Sequence, residues 1–205
     1  MTRQKAKKEI EAALSALSAD PSVGYLAVTS KPERPIRDRV AWYFHWKHQN
    51  LFAAREYNIK PRMRVDLALL DASLDPVVLV EFKAMIVPDP LDNPKHPLMQ
   101  DLKRDLRRLP DILGVQRFGV MLMVHIENVE PLTKRELNGR VVKYLRKFRK
   151  WAKEPDALKN AIRITSEFYR PTFKVSQLTT ELGSVWDARV KLTSFILEPR
   201  DRLES

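Results

Sequence analysis

Cysteine is absent from the 205 residues of the chain, and only five residues are glycine. The absence of cysteine excludes disulfide bonds, thiolate zinc sites and a cysteine nucleophile, and it is typical of a reducing cytoplasm. No glycine-rich phosphate loop is present. No apolar run reaches the roughly 18 residues of a membrane span, and no apolar segment of a secretory signal follows the N-terminus. We therefore expect a cytoplasmic protein with no membrane partner.

Positive charge is in excess, with a formal net charge of +11 and a pI near 9.9. Such an excess favours a polyanionic partner, nucleic acid first and an acidic membrane surface second. Hydrophobic residues make up 44% of the chain, which is enough to build a core. We expect one domain over residues 1–205, and the sequence leaves monomer and homodimer open as assembly states.

Hydrophobic periodicity and breaker residues predict an α/β fold, with a sheet surrounded by helices. The predicted helices cover 4–18, 36–50, 98–109 and 133–153, the last starting at a Thr133–Glu136 capping box. The predicted strands cover 51–57, 62–70, 77–85, 118–126, 173–181 and 185–197. The proline-rich segment 86–97 is predicted as an irregular loop, 157–170 fits a helix or a strand, and the last hairpin is expected to turn at 182–184.

The strands at 62–70 and 77–85 are joined by a short polar turn, as in a β-hairpin. A symmetric turn places Ala68 opposite Leu79, Asp66 opposite Glu81, and Arg64 opposite Lys83. One face of this hairpin is then entirely apolar, with the residues Val65, Leu67, Leu69, Val78, Val80 and Phe82. The other face ends in four charges, and a slip of one residue in register would destroy this grouping.

Two opposed carboxylates suit a divalent cation, because residues facing each other across an antiparallel pair have Cβ atoms about 5 Å apart. Lys83 lies two positions after Glu81 on the same side of its strand. Its ammonium group could orient an attacking water or neutralise charge on a phosphate. The alternative is a solvated charged patch, in which Arg64 pairs with Glu81 and Asp66 with Lys83.

The segments 62–70 (RMRVDLALL) and 78–84 (VLVEFKA) together resemble the signature of the PD-(D/E)XK nuclease superfamily. Asp66 matches the aspartate of that signature, Glu81 and Lys83 match its E-x-K, and Val65 stands where many members have proline. The resemblance implies a restriction-endonuclease-like αβββαβ core with a mixed sheet over about 36–126. Residues 131–200 would then be a helical and β-hairpin elaboration.

The same resemblance implies a function and a cofactor. It implies a Mg²⁺- or Mn²⁺-dependent endodeoxyribonuclease that hydrolyses phosphodiester bonds in DNA. Asp66, Glu81 and the backbone carbonyl of Phe82 would hold the metal, and Asp66, Glu81 and Lys83 would be catalytic. Candidate accessory residues are Glu56, Asp38 and Gln100. The alternative function is a non-catalytic or weakly catalytic nucleic-acid-binding module on the same fold.

Two clusters of basic residues accompany this motif. The predicted helix 133–153 turns a basic stripe outward, which suits a phosphate backbone. The residues that we predict to contact nucleic acid are Arg64, Lys143, Arg146, Lys147 and Lys150. A second basic cluster lies at 103–108, where Asp101 and Asp105 are spaced to pair with part of it.

Overall fold

The structure is a computed structural model that describes residues 1–134 and 141–200, without the side chains of residues 133 and 134. It is an α/β fold in which helices cover both faces of one six-stranded mixed sheet. The helices are α1 (Arg3–Ser15), followed by a 3-10 turn (Ala16–Ala19), α2 (Pro21–Thr29), α3 (Glu33–Lys47), α4 (Pro88–Asp92), α5 (Pro97–Arg108), α6 (Glu130–Lys134), α7 (Leu145–Trp151) and α8 (Ala157–Tyr169). Within the described ranges, no helix is long and apolar enough to cross a membrane.

The strands are β1 (Phe52–Lys60), β2 (Met63–Leu70), β3 (Pro76–Ile86), β4 (Gln116–Ile126), β5 (Phe173–Val185) and β6 (Ala188–Pro199). Their order across the sheet is β1-β2-β3-β4-β6-β5. Only β3 and β4 pair in parallel, and α4 and α5 lie on the connection between them. The other neighbouring pairs are antiparallel.

The sheet separates two apolar cores. One core contains Leu67, Val80 and Phe82 and packs against α1, α2, α3, α6 and α7. The second core contains Ala68 and Leu79 and packs against α5 and α8. Alternate residues of one strand point to opposite faces, and β2 and β3 therefore supply side chains to both cores.

Helix α2 was missing from the sequence prediction, in which the predicted helix 4–18 ended just before Asp20 and Pro21. The same pair begins α2. The Asp20 carboxylate accepts a hydrogen bond of 2.9 Å from the N–H of Ser22, and Pro21 occupies the first helical position, where its missing N–H has no cost.

The prediction of one helix over 133–153 was wrong. Helix α6 already begins at Glu130, whose N–H donates to the Asn128 side chain at 3.1 Å. Tyr144 adopts a left-handed φ of 65° immediately before α7, which interrupts any continuous helix. Glu136, the other half of the expected capping box, lies outside the described residues.

Two further segments differ from the sequence prediction. The segment 86–97 contains the short helix α4, and 157–170 is helical as α8. The last hairpin turns at Trp186 and Asp187, with φ values of 47° and 68°, and not at 182–184. Two successive positive φ values are the requirement of a tight two-residue turn. Gly183, with φ of 85°, instead allows a bulge in β5, where the register shifts between Glu181 and Ser184.

Candidate active site

Strands β2 and β3 separate at the point where the charged residues begin. Ala68 pairs with Leu79 and Leu67 with Val80, in the predicted register, whereas near the turn Leu70 pairs with Pro76 and not with Val77. The described β2–β3 ladder ends at Val80, while β3 continues alongside β4 to Ile86. From Glu81 onwards, β3 therefore has one edge that β2 does not cover, and the two strands form a fork.

Along the fork, the side chains of β2 do not alternate regularly between the two faces of the sheet. Val65 lies in the core beneath α5 and α8, on the opposite side of the sheet from Leu67, and our assignment of both residues to one apolar face was wrong. Glu56 lies between the Arg55–Leu67 and Tyr57–Val65 pairs of β1 and β2 and has a φ of 53°. This left-handed residue, opposite Asp66, disturbs the alternation of side chains.

Carboxylates occupy the edge of β3 that β2 leaves uncovered. The N–H of Phe82 donates to Asp66 Oδ2 at 2.8 Å, and the N–H of Ile86 donates to Asp89 Oδ2 at 3.0 Å. Between them, the backbone N–H of Ala84 faces the Glu33 carboxyl group and favours its charged form. Alternate residues of a strand direct their N–H groups to one edge, and three acidic side chains replace the missing partner strand there.

Asp66 and Glu81 form an acidic pair inside the fork, in which Glu81 is buried and Asp66 is partly exposed. Glu81 is 6% exposed. Burial raises the pKa of Glu81, the charge and hydrogen bond of Asp66 raise it further, and it reaches about 9 even though Lys83 opposes the rise. At neutral pH Glu81 therefore retains its proton, as expected for a carboxyl group held away from water next to a second one.

Lys83 lies beside this pair and points toward α5. Its Nζ atom is 3.4 Å from Asp105 Oδ2. Burial alone would lower the pKa of Lys83, but the surrounding negative charge outweighs burial and raises the pKa. The carboxyl groups responsible are those of Asp66, Glu33, Asp105 and Glu81. Lys83 therefore stays a charged ammonium group despite being mostly buried.

A glycine on β4 lets α5 approach the site closely. Gly119 is the β4 neighbour of Glu81, and a Cβ at this position would lie 3.0 Å from Cδ2 of Leu106 in α5. Because glycine has no Cβ, α5 packs close to the sheet at this point. This packing places Asp105, the residue before Leu106, within reach of Lys83.

Arg37 of α3 connects the two predicted accessory acids to Asp66. It is 6% exposed, and its guanidinium lies 3.1 Å from Asp38, 3.3 Å from Glu56 and 3.8 Å from Asp66. Glu56 also pairs with Arg64 at 3.1 Å. Asp38 and Glu56 are thus brought near the fork, but both are engaged by arginine, and they support the site through Arg37.

Other predicted residues lie elsewhere. Gln100 is exposed on α5 and donates to the carbonyl of Lys95 at 2.8 Å, outside the fork. Lys147 pairs with the buried Asp89 at 2.8 Å, and Lys150 pairs with Asp92 at 2.6 Å. These two lysines fasten α7 to α4. Lys143 lies over the ring of Tyr144 at 5.4 Å from its centroid, and Arg146 is exposed.

Sequence reasoning missed two residues of the site, Glu33 and Asp105. Burial raises the pKa of Glu33, the charge of Lys83 opposes this rise, and the charge of Asp66 adds to it. Both residues occupy positions on the sheet-facing stripe of a helix. The stripe in α3 runs through Ile36, Val40 and Phe44, and the stripe in α5 runs through Leu102, Leu106 and Leu109. An acid on an otherwise apolar stripe was the available signal.

The fork opens to solvent as a cleft of about 300 Å³ lined by Asp66, Glu81, Lys83 and Asp105. Arg62, Arg64 and Arg108 line its rim. In the described part of the chain, no group of three or more histidine, cysteine or acidic side chains has the arrangement of a metal centre. Comparison with known proteins gives no further guide, because no family model, curated protein or solved structure matches the chain.

Proposed function

We propose that the protein is a metal-dependent nuclease of the PD-(D/E)XK type that hydrolyses phosphodiester bonds in DNA. The observation that carries this proposal is the carboxyl pair of Asp66 and the buried Glu81, with Lys83 beside it. Burial and the charge of Asp66 raise the pKa of Glu81 to about 9. Holding two carboxylates together inside a protein is unfavourable unless a cation or a proton lies between them. Strongly perturbed pKa values of this kind cluster at functional sites.

The order of elements around the fork supports the same proposal. Helix α3 is followed by β1, β2 and β3, and then by α5 and β4. The first two strand pairs are antiparallel and the third is parallel. This is the αβββαβ order of the restriction-endonuclease-like core, with the short helix α4 inserted before α5.

The donors present fit a hard divalent cation such as Mg²⁺ or Mn²⁺. Asp66 and Glu81 offer carboxylate oxygens, and Phe82 lies on the uncovered edge of β3, where its carbonyl has no β2 partner among the described pairs. Mg²⁺ needs only one or two carboxylates from the protein, together with substrate phosphate oxygens and water. Once bound there, the cation would activate water and stabilise negative charge on the phosphate.

The side chains of the fork have separate roles in the proposed reaction. Asp66 is oriented by the Phe82 N–H, and Glu81 becomes a full anion only after it loses its proton. Lys83 presents a positive charge to the phosphoryl group, where charge develops in the transition state. Asp105 is a positioning residue, because its contact with the Lys83 Nζ atom fixes the direction of the ammonium group. Arg64 and Arg108, at the rim, suit the phosphates on either side of the scissile bond.

The test is cleavage of supercoiled plasmid DNA in about 5 mM MgCl₂. With enzyme at about 1 μM, the metal is then in roughly 5,000-fold molar excess, which is enough to occupy a weak site. We expect nicked or linear product, none in excess EDTA, and none with Asp66→Asn or Glu81→Gln. Cleavage that persists in EDTA, or in both variants, would overturn the proposal. DNA binding without any cleavage would instead support the non-catalytic binding module.

A further inference from the structure

A groove of about 450 Å³ runs along the outer side of α5, next to the cleft. Five basic side chains, one amide and one aromatic ring line it: Lys95, Gln100, Lys103, Arg104, Arg107, Arg108 and Phe168. No acidic side chain is part of this lining. The groove is therefore a concentrated positive surface formed by one helix and the end of α8.

Most of this positive charge is not neutralised by the protein. Arg104 pairs with Asp101 at 2.8 Å and with Asp105 at 3.3 Å. By contrast, Lys95, Lys103, Arg107 and Arg108 make no ion pair with any residue that the structure describes. Lys103 lies over the ring of Phe168, 5.3 Å from its centroid. Burial and the nearby Arg107 both lower the pKa of Lys103, and an anion bound there would relieve this repulsion.

The groove is continuous with the cleft, because Arg108 lines both. Lys103 and Arg107 line the groove but not the cleft. They are four residues apart on one face of α5, which corresponds to a rise of about 6 Å. A chain of evenly spaced anions that leaves the cleft past Arg108 would meet these two side chains in succession.

Helix α7 offers a weaker alternative. Two of the three predicted contact residues in α7, Lys147 and Lys150, are engaged by Asp89 and Asp92. An anion at α7 would have to displace these carboxylates, whereas the groove on α5 has free cations and adjoins the cleft.

We infer that the groove on α5 holds the DNA backbone as it leaves the cleft, with Arg108, Arg107 and Lys103 contacting successive phosphates. This inference rests on the proposed nuclease function and adds to it the path of the substrate. Contacts to the backbone carry no sequence information, and the groove is expected to contribute affinity that is equal for all sequences.

The test is a double variant, Lys103→Gln with Arg107→Gln, which removes two charges and keeps polar side chains with similar helix propensity. Lys5→Gln with Lys8→Gln is the matched control, because both lysines are exposed on α1 and the change in net charge is the same. Binding of a fluorescein-labelled 20-base-pair duplex is measured by anisotropy between 50 and 300 mM NaCl, in EDTA so that no cleavage occurs. Circular dichroism confirms that each variant is folded.

We expect the plot of log affinity against log salt concentration to flatten by about 1.8 in the groove variant, or about 0.9 for each phosphate that the protein no longer neutralises. The control variant is expected to keep the wild-type slope. Equal slopes in the two variants would overturn the inference, and a wild-type protein that cleaves plasmid would show that the proposed function survives. A wild-type protein that neither binds the duplex nor cleaves plasmid would overturn both.

Discussion

The Oδ2 atom of Asp66 accepts a hydrogen bond of 2.8 Å from the backbone N–H of Phe82, across the point where β2 and β3 separate. This bond gives Asp66 two functions in the fork. It satisfies a main-chain donor that has no partner strand, and it holds a carboxylate next to Glu81. The two functions can be separated by substitution.

We expect Asp66→Ala to be less stable than Asp66→Asn in the metal-free protein, by about 1–2 kcal/mol. Both substitutions remove the charge, but only asparagine keeps an oxygen that can accept from the Phe82 N–H. Urea unfolding in EDTA at pH 7 measures the difference. Equal midpoints for the two variants would show that this hydrogen bond contributes nothing to stability.

Glu81→Gln should stabilise the metal-free protein at alkaline pH. The pKa of Glu81 is about 9 in the fold, against an ordinary value of 4.5. Above pH 4.5 the unfolded chain loses this proton while the folded chain retains it, and wild-type stability therefore falls as pH rises toward 9. The stabilisation by glutamine should be absent at pH 4 and reach several degrees in Tm at pH 8. Thermal unfolding in EDTA at both pH values tests this, and a gap independent of pH would contradict it.

Metal affinity should rise with pH, because the proton that Glu81 retains must leave before this carboxylate can bind a cation. We expect Mn²⁺ affinity to increase by up to about tenfold per pH unit between pH 6 and 8. Calorimetry in two buffers with different heats of ionisation should detect the release of about one proton. Affinity that does not change with pH would place the metal elsewhere.

Lys83→Met should separate binding from chemistry. Methionine keeps most of the side-chain volume, and the Asp66–Glu81 pair remains, so Mn²⁺ should still bind. DNA cleavage should fall by about 10²–10³-fold, the usual effect of removing one group that stabilises transition-state charge. Asp105→Asn should give a smaller loss, because Lys83 keeps its charge and loses only its anchor. Wild-type cleavage by Lys83→Met would remove this residue from the mechanism.

Lys147 and Arg146 should behave differently although they are neighbours on α7. Lys147→Ala leaves the carboxylate of Asp89, which is 7% exposed, without its lysine partner, and should cost about 1–3 kcal/mol of stability. Arg146→Ala should stay within about 0.5 kcal/mol, as is usual for exposed positions. Denaturant unfolding of the two single variants makes the comparison. An equal loss in both would contradict the anchoring role of Lys147.

The pairing of β2 with β3 could be predicted from the sequence, because their apolar residues tolerate only registers that keep them buried. The fork could not. It depends on Arg37 packing beside Asp66 and on the left-handed Glu56, and both are tertiary features that no local pattern records.

The contribution of the helices was harder to predict for a related reason. A local sequence shows that the stretch around Lys147 is basic, but only the fold places Asp89 next to it. Glu33 lies outside the predicted helix 36–50. Its position on the apolar stripe of α3 could therefore not be recognised from the sequence. Asp105 was assigned to pairing within α5, whereas Gly119 on a distant strand brings it to Lys83.

The position of β6 has a consequence for how the chain folds as it is made. It is the last strand of the described chain, yet it lies between β4 and β5 in the sheet and not at an edge. Until residues 188–199 leave the ribosome, β4 has no partner strand on one side, and β5 (Phe173–Val185) has no strand to pair with. The fork between β2 and β3 uses only residues up to 126, and its strands can form early. In a nascent chain, the Asp66–Glu81 pair would thus form in an incomplete sheet, and the edge of β4 that β6 later covers would be accessible to chaperones.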